Sequence, residues 1–248
     1  MLLEVRLPEA ETSYIVFIEK HIDEIKQKIP FATEARVWKQ EVYFETPIEI
    51  RGGTKVKKVR RGGVYYWPPG KALCLFYGLT QVYTPAIELG TIVDPLHRLY
   101  TINDGARIVV EEHRPSSELS QVLDVLKRMG FVVATPLDSG TRIVVALGEY
   151  MGVRISFSVF VEDYGLHIES EGLARFGEDI STLTFINKLR RTIDSWTELI
   201  RVDATEDGWI ALTAALDTID EIPQAVEELR RGLAIAQHIL LSLIHISE

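Results

Sequence analysis

The chain has 248 residues, 46% of them hydrophobic and 25% charged, proportions of a globular protein that exclude a disordered tract, a collagen and a coiled-coil rod. At roughly 150 residues per domain, this length suits two small domains or one large one. The net charge of −9 is uneven: residues 1–114 hold 15 acidic and 16 basic side chains, a net +1, so residues 115–248 carry −10. An acidic second half of that kind argues against nucleic acid as its partner, since phosphate binding needs clustered Lys and Arg.

In chain order, Ser13–Ile18 reads as an apolar strand and His21–Ile29 as a short helix with Ile22, Ile25 and Ile29 on one face, ended by Pro30. Short strands follow at Ala35–Trp38, Glu41–Phe44 and Ile48–Ile50. The run Lys55–Arg61 reads as a strand edge guarded by charge, and a nucleic-acid role for it would want interleaved aromatics, which it lacks. Val64–Trp67 and Ala72–Tyr77 flank the turn Pro68-Pro69-Gly70, and Ile87–Val93 and Arg107–Val110 complete the set. Many short strands with Gly and Pro punctuation and one early helix favour a closed or strongly bent β-barrel.

The polar, Pro-containing stretch Glu111–Ser117 divides the chain into two domains, 1–114 and 115–248. Beyond it, Leu119, Val122, Leu123, Leu126 and Met129 recur at helical spacing, with Ser116 or Ser117 as N-cap and Gly130 past the end. A hairpin is expected from Arg142–Leu147 and Val153–Val161, in which alternate apolar residues bury one face. A helix over about Ile180 to Ile193 turns Leu183, Ile186 and Leu189 inward. Leu199–Asp203 pairs with Trp209–Leu216 across an Asp-Gly turn. The last helix starts near Pro223. Ile222, Val226, Leu229, Leu233, Ala236, Leu240 and Ile244 form one stripe of it, which Ile235, Ile239 and Leu243 widen. A stripe that broad exceeds what one sheet needs, so Leu229, Leu233, Ala236 and Leu240 are expected at a homodimer seam.

Two resemblances rest on particular segments. Val42-Tyr43-Phe44-Glu45-Thr46-Pro47 followed by Tyr65-Tyr66-Trp67-Pro68-Pro69-Gly70-Lys71-Ala72-Leu73-Cys74-Leu75-Phe76-Tyr77-Gly78 resembles the prokaryotic cyclophilin-like family of small proteins. That resemblance implies an all-β, cyclophilin-like closed barrel with one short helix over residues 1–114, and it does not imply prolyl isomerase activity. The helix Phe185-Ile186-Asn187-Lys188-Leu189, the hairpin through Asp207-Gly208-Trp209 and the apolar last helix resemble the YbjN-type proteins. This second likeness implies an α+β antiparallel sheet with helices, of the type III secretion chaperone-like kind, and a homodimerising, protein-binding module.

Candidate chemistry is sparse. A ligand-binding cleft of the barrel would draw on Arg36, Tyr66, Trp67, Lys71, Phe76, Tyr77, Gln81 and Tyr83, the residue types that a prolyl isomerase needs as donors and pocket walls. Glu41 and Glu45 share a face of their strand, and paired acid–base work would require that face to be concave and dry. Cys74 sits in an apolar strand as a buried thiol rather than a nucleophile. Of the six histidines, His238 and His245 are the nearest grouping, too far apart on a helix to share a metal. The chain therefore reads as a binding protein for a peptide, protein or small ligand, dimerised through its second domain, with no cofactor, metal, catalytic residues, nucleic-acid or membrane partner expected. An isomerase or other enzyme using the barrel cleft is the alternative. A carboxylate at Glu4 where a signal peptide needs an apolar core, together with a lone cysteine, points to the cytoplasm.

Overall fold

The computed structural model describes residues 1–244, the side chains of residues 241–244 excepted. Leu243 and Ile244 of the predicted stripe, as side chains, and His245 lie outside the described residues. Two compact units are present, Met1–Ser117 with Ala134–Ile143, and Glu118–Val133 with Val144 onward.

The first unit is a nearly closed, all-β barrel. Its strands are β1 (Leu2–Leu7), β2 (Thr12–Ile18), β3 (Phe31–Glu34), β4 (Arg36–Trp38), β5 (Glu41–Glu45), β6 (Lys55–Val56), β7 (Gly63–Trp67), β8 (Ala72–Phe76), β9 (Ala86–Ile92) and β10 (Arg107–Glu112), with α1 (Ile22–Lys26) between β2 and β3. The sheet runs β3-β10-β1-β2-β9-β7-β8-β5-β4, and β6 pairs with β9. Alternate residues of each strand fill the interior: Leu3 and Val5, Tyr14 and Val16, Val42 and Phe44, Val64 and Tyr66, Leu73 and Leu75.

Several expectations need amending. β1 and β3 carry no separate sequence expectation, Ile48–Ile50 forms no strand, and the helix is shorter than His21–Ile29. Lys55–Arg61 is not one strand, because only Lys55 and Val56 pair. Beyond them the Arg60 guanidinium turns back to Glu88, Thr91 and the Gly90 carbonyl.

Past Ser117 the chain forms α2 (Ser120–Arg128) and β11 (Val132–Ala134), then returns to the first unit as the small hairpin β12 (Leu137–Asp138) and β13 (Thr141–Arg142). Leu119, not a serine, occupies the N-cap of α2, without a side-chain cap. The division at 114 is thus amended by a ten-residue return, Ala134–Ile143. Buried polar groups fix that return. Glu4 accepts from the Ser13 hydroxyl at 2.7 Å and from Arg142 at 2.8 Å. The Thr135 N–H donates to His113 Nε2, which leaves the Nδ1 proton to bind Glu4 at 2.9 Å. Asp94 pairs with Arg98, which also reaches the Leu137 carbonyl and Asp138.

The second unit is α+β. β14 (Val144–Tyr150), β15 (Val153–Glu162), β16 (Gly165–Ser170), β17 (Ala174–Arg175), β18 (Arg201–Ala204) and β19 (Trp209–Leu216) join β11 in one sheet, with α3 (Ile180–Ile193) and α4 (Ile222–Ile244). Strands β14 to β19 pair antiparallel. Alternate residues of β15, Ile155, Phe157 and Val159, meet Leu123 and Leu126 of α2, Phe185 and Leu189 of α3 and Val226 of α4 in one core. Leu183 is a correction: it is half-exposed, and Phe185 takes the inward position. Leu229, Leu233 and Ala236 are buried in this same core, and Leu240 packs at its margin. The described side chains of the stripe are thus used inside their own unit, because the sheet and two other helices pack around them. Among the described residues no helix is long and apolar enough to cross a membrane.

Candidate functional site

Strands β5, β7 and β8 are buried on both faces. Tyr43, Cys74 and Tyr65 are in register across them, as are Glu41 and Phe76. These residues point away from the barrel interior, and Tyr65, Cys74 and Phe76 build a second, smaller apolar cluster with Val59 and Ala86. Two irregular segments cover it, 57–61 and 78–85. Gln81 clips one to the other: its carboxamide donates to the Val59 carbonyl at 2.9 Å and accepts from the Val59 N–H at 3.0 Å. Gln40 holds the start of the second segment, accepting from the Leu79 N–H, while Thr80 accepts from the Gln40 N–H. Gly78 lies so close to the Gln40 side chain that a Cβ there would collide with it.

A hollow of about 300 Å³ opens where this cover meets the sheet. Its walls are Trp38 of β4, Tyr43 of β5, Trp67 of β7 and Tyr83 of the covering segment, and its lining is completed by Glu41, Cys74, Val82 and Thr84. The rings are held in place. Trp67 donates its indole N–H to Thr84 at 2.7 Å and stands edge-on to Tyr43 with centroids 6.4 Å apart. Trp38 and Tyr83 pack at 5.3 Å. Tyr83 is 85% exposed and forms the rim.

Glu41 is 5% exposed. No ion pair reaches it among the described residues, and its one hydrogen-bond partner is the Cys74 thiol, a weak donor. Burial holds the Glu41 carboxyl above the usual range. Burial and the neighbouring Glu41 both push the Cys74 thiol well up, so it is protonated and no nucleophile at neutral pH. Glu45, on the same face of β5, is exposed, so the two carboxylates do not form a pair in one dry site.

Of the expected ligand residues, Trp67 and Tyr83 line this hollow. Phe76 lies beneath it in the smaller cluster. Tyr66 faces the barrel interior and donates to the Ile48 carbonyl. Tyr77 is buried with its hydroxyl on the Lys39 carbonyl, and burial raises its pKa to about 12. Arg36 is exposed and paired with Glu34 and Asp104, Lys71 binds Glu49, and Gln81 is the clip already described. Donors and aromatics of an isomerase-like constellation are therefore not brought together. Trp38, Tyr43, Val82 and Thr84 escape sequence reasoning. The one available signal is that Tyr43 and Glu41 share a strand face with no polar alternation on the partner strand Ala72–Phe76.

Residues 1–111 match the model of a family described as Cyclophilin-like. The cyclophilin-like match thus covers the barrel and not the α+β unit. A solution structure of a hypothetical protein from Archaeoglobus fulgidus is similar at 28% identity, covering 45% of this chain and 94% of that one, with a TM-score of 0.38. A structure of McbB in complex with tryptophan is similar at 13% identity over 51% of this chain and 53% of that one, with a TM-score of 0.36. No curated protein matches the chain. Among the described residues no cluster of His, Cys, Asp or Glu is placed to hold a metal ion.

Proposed function

We propose that this is a binding protein whose barrel takes a small organic ligand in the hollow on its outer face. One observation carries the reading: aromatic rings from four separate segments converge on about 300 Å³ that ends at a buried carboxylate. Small-molecule sites are of this kind, concave and mostly apolar, with few fixed polar groups. The protonated thiol of Cys74 and the engagement of Arg36 and Gln81 elsewhere speak for binding over isomerase or nucleophilic chemistry. The α+β unit, a sheet with helices packed into one core, serves here as a second module. A dimer seam on Leu229, Leu233 and Ala236 is not part of this proposal, since those side chains are used within the unit.

A panel of small metabolites tests it on the full chain, read by thermal shift and by the fluorescence of Trp38 and Trp67. A ligand of the folded state raises the melting temperature by mass action. The expected result is a ligand that does so, quenches tryptophan emission, and loses both effects in Trp67→Ala. Shifts that survive Trp67→Ala and Tyr83→Ala would place binding elsewhere and overturn the proposal.

A further inference from the structure

We propose that the ligand of this hollow is an organic cation, a small methylated ammonium compound caged by the rings of Trp38, Tyr43, Trp67 and Tyr83 and paired with the Glu41 carboxylate. The inference rests on the binding reading above and names its ligand class.

Three observations carry it. First, the walls are indole and phenol rings, whose faces attract a cation within about 6 Å of the centroid. Two of them already do so: the Lys39 ammonium stands 4.4 Å from the Trp38 centroid and 5.5 Å from that of Tyr83. Second, Glu41 lines the hollow while 5% exposed. Buried carboxylates are normally paired, because an unpaired charge loses its hydration without recompense. At Glu41 the partner among the described residues is a thiol, and Glu41 lines the same hollow as the rings. Third, Lys39 stands against the rings of Trp38 and Tyr83, yet among the described residues it forms no ion pair with Glu41. A positive ligand supplies what the site lacks. A methylated ammonium suits it better than a bare one, since its methyl groups contact the rings and it gives up little hydration on entry.

Proton linkage follows from the same geometry. Burial favours the protonated Glu41, and an entering cation favours the ionised form, so binding expels a proton below the titration of Glu41. Cys74 of β8 hydrogen-bonds Glu41 and Tyr77 just beyond it feels its charge, Tyr43 of its own strand and Tyr83 of the covering segment line the same hollow, and Lys39 stands over the Trp38 and Tyr83 rings. None of these is a carboxylate or an imidazole, and Glu45 on the same strand face is exposed.

The test is calorimetric titration of the full chain with methylammonium, tetramethylammonium and choline, each beside a neutral isostere such as 3,3-dimethylbutan-1-ol for choline. At pH 7.5 a cation is expected to bind about tenfold or more tightly than its isostere, a difference of about 1.4 kcal/mol. Glu41→Gln, folded by its melting curve, is expected to cut the preference to the smaller part that the rings supply, while still binding the isostere. Cation affinity in the wild type is expected to rise with pH and then level, and to stay flat in Glu41→Gln. Equal binding of cation and isostere, or a preference undiminished in Glu41→Gln, overturns the cation assignment and leaves the hollow as a site. Binding of neutral compounds alone does the same. No binding of either kind, here and across the metabolite panel, overturns both readings.

Discussion

Two buried glutamates of the barrel have opposite fates, and the contrast is a matter of partners. Glu4 is buried as deeply as Glu41, yet its pKa is lowered, because hydrogen bonds from His113 and Ser13 and the charge of Arg142 outweigh the cost of burial. Its contribution to stability is therefore present above the unfolded carboxylate value near 4.3 and lost as pH falls through the folded one. Glu41 works the other way. With burial dominant and its pKa raised, its contribution is full below the unfolded value and lost as pH rises through the folded one. Glu41→Gln is expected to stabilise the ligand-free barrel by about 1 kcal/mol at pH 7.5 and to leave it little changed at pH 4, as read from urea midpoints. Glu4→Gln is expected to cost about 3 kcal/mol at pH 7.5, since it breaks a buried, hydrogen-bonded set. Gln81→Ala tests a third residue. Losing both bonds to Val59 is expected to destabilise by about 1–2 kcal/mol and to loosen the wall carrying Tyr83, so tryptophan emission shifts even without ligand. Gln81 was legible as a functional glutamine by type alone. Its role is set by Val59, 22 residues away, a pairing no local pattern announces.

At the scale of elements, periodicity served where one face is wet and failed where both are covered. In β15 the alternation of Ile155, Phe157 and Val159 marks a core face, and α2 and α3 follow their helical spacing to within a turn. Ala72–Phe76 is buried at every position, so its sequence cannot say that Leu73 and Leu75 face the barrel while Cys74 and Phe76 join a separate cluster outside it. That loss of alternation is the trace of the covering segments. It also explains why neighbours such as Tyr65 and Tyr66, alike in sequence, belong to different clusters. Helix α4 shows the complementary limit: its broad stripe is real, but breadth alone does not say whether the extra width meets a partner or the α+β unit's own sheet and helices. Leu229→Ala, a truncation at a fully buried position, is expected to cost about 3 kcal/mol in the stability of the α+β unit. Denaturation followed by circular dichroism measures it, and ligand binding in the barrel hollow should be unaltered.

Over the whole molecule, the charge asymmetry between residues 1–114 and the rest is a property of composition, whereas the division of the fold is a property of contacts, and the two do not coincide. Ala134–Ile143 lies in the acidic part of the chain but belongs to the barrel unit. It reaches the barrel's buried polar groups: Thr135 meets His113, Leu137 N–H meets Ser13, and Arg142 meets Glu4. Residues 1–111 alone carry the family match, so the strands of the barrel are complete without the return, while the hydrogen bonding of Glu4, Ser13 and His113 is not. A fragment of residues 1–117 is accordingly expected to form the barrel but with several kcal/mol less stability than the barrel transition of the full chain, since three or more buried polar interactions worth about 1–3 kcal/mol each are removed. The deficit should shrink on acidification, once Glu4 is protonated and no longer binds Arg142 as an ion in either protein. Urea unfolding of fragment and full chain from pH 7.5 downward measures both. Equal midpoints at neutral pH would show that the return merely lies on the barrel; a deficit that closes on acidification would show that the Glu4 cluster is what fastens it.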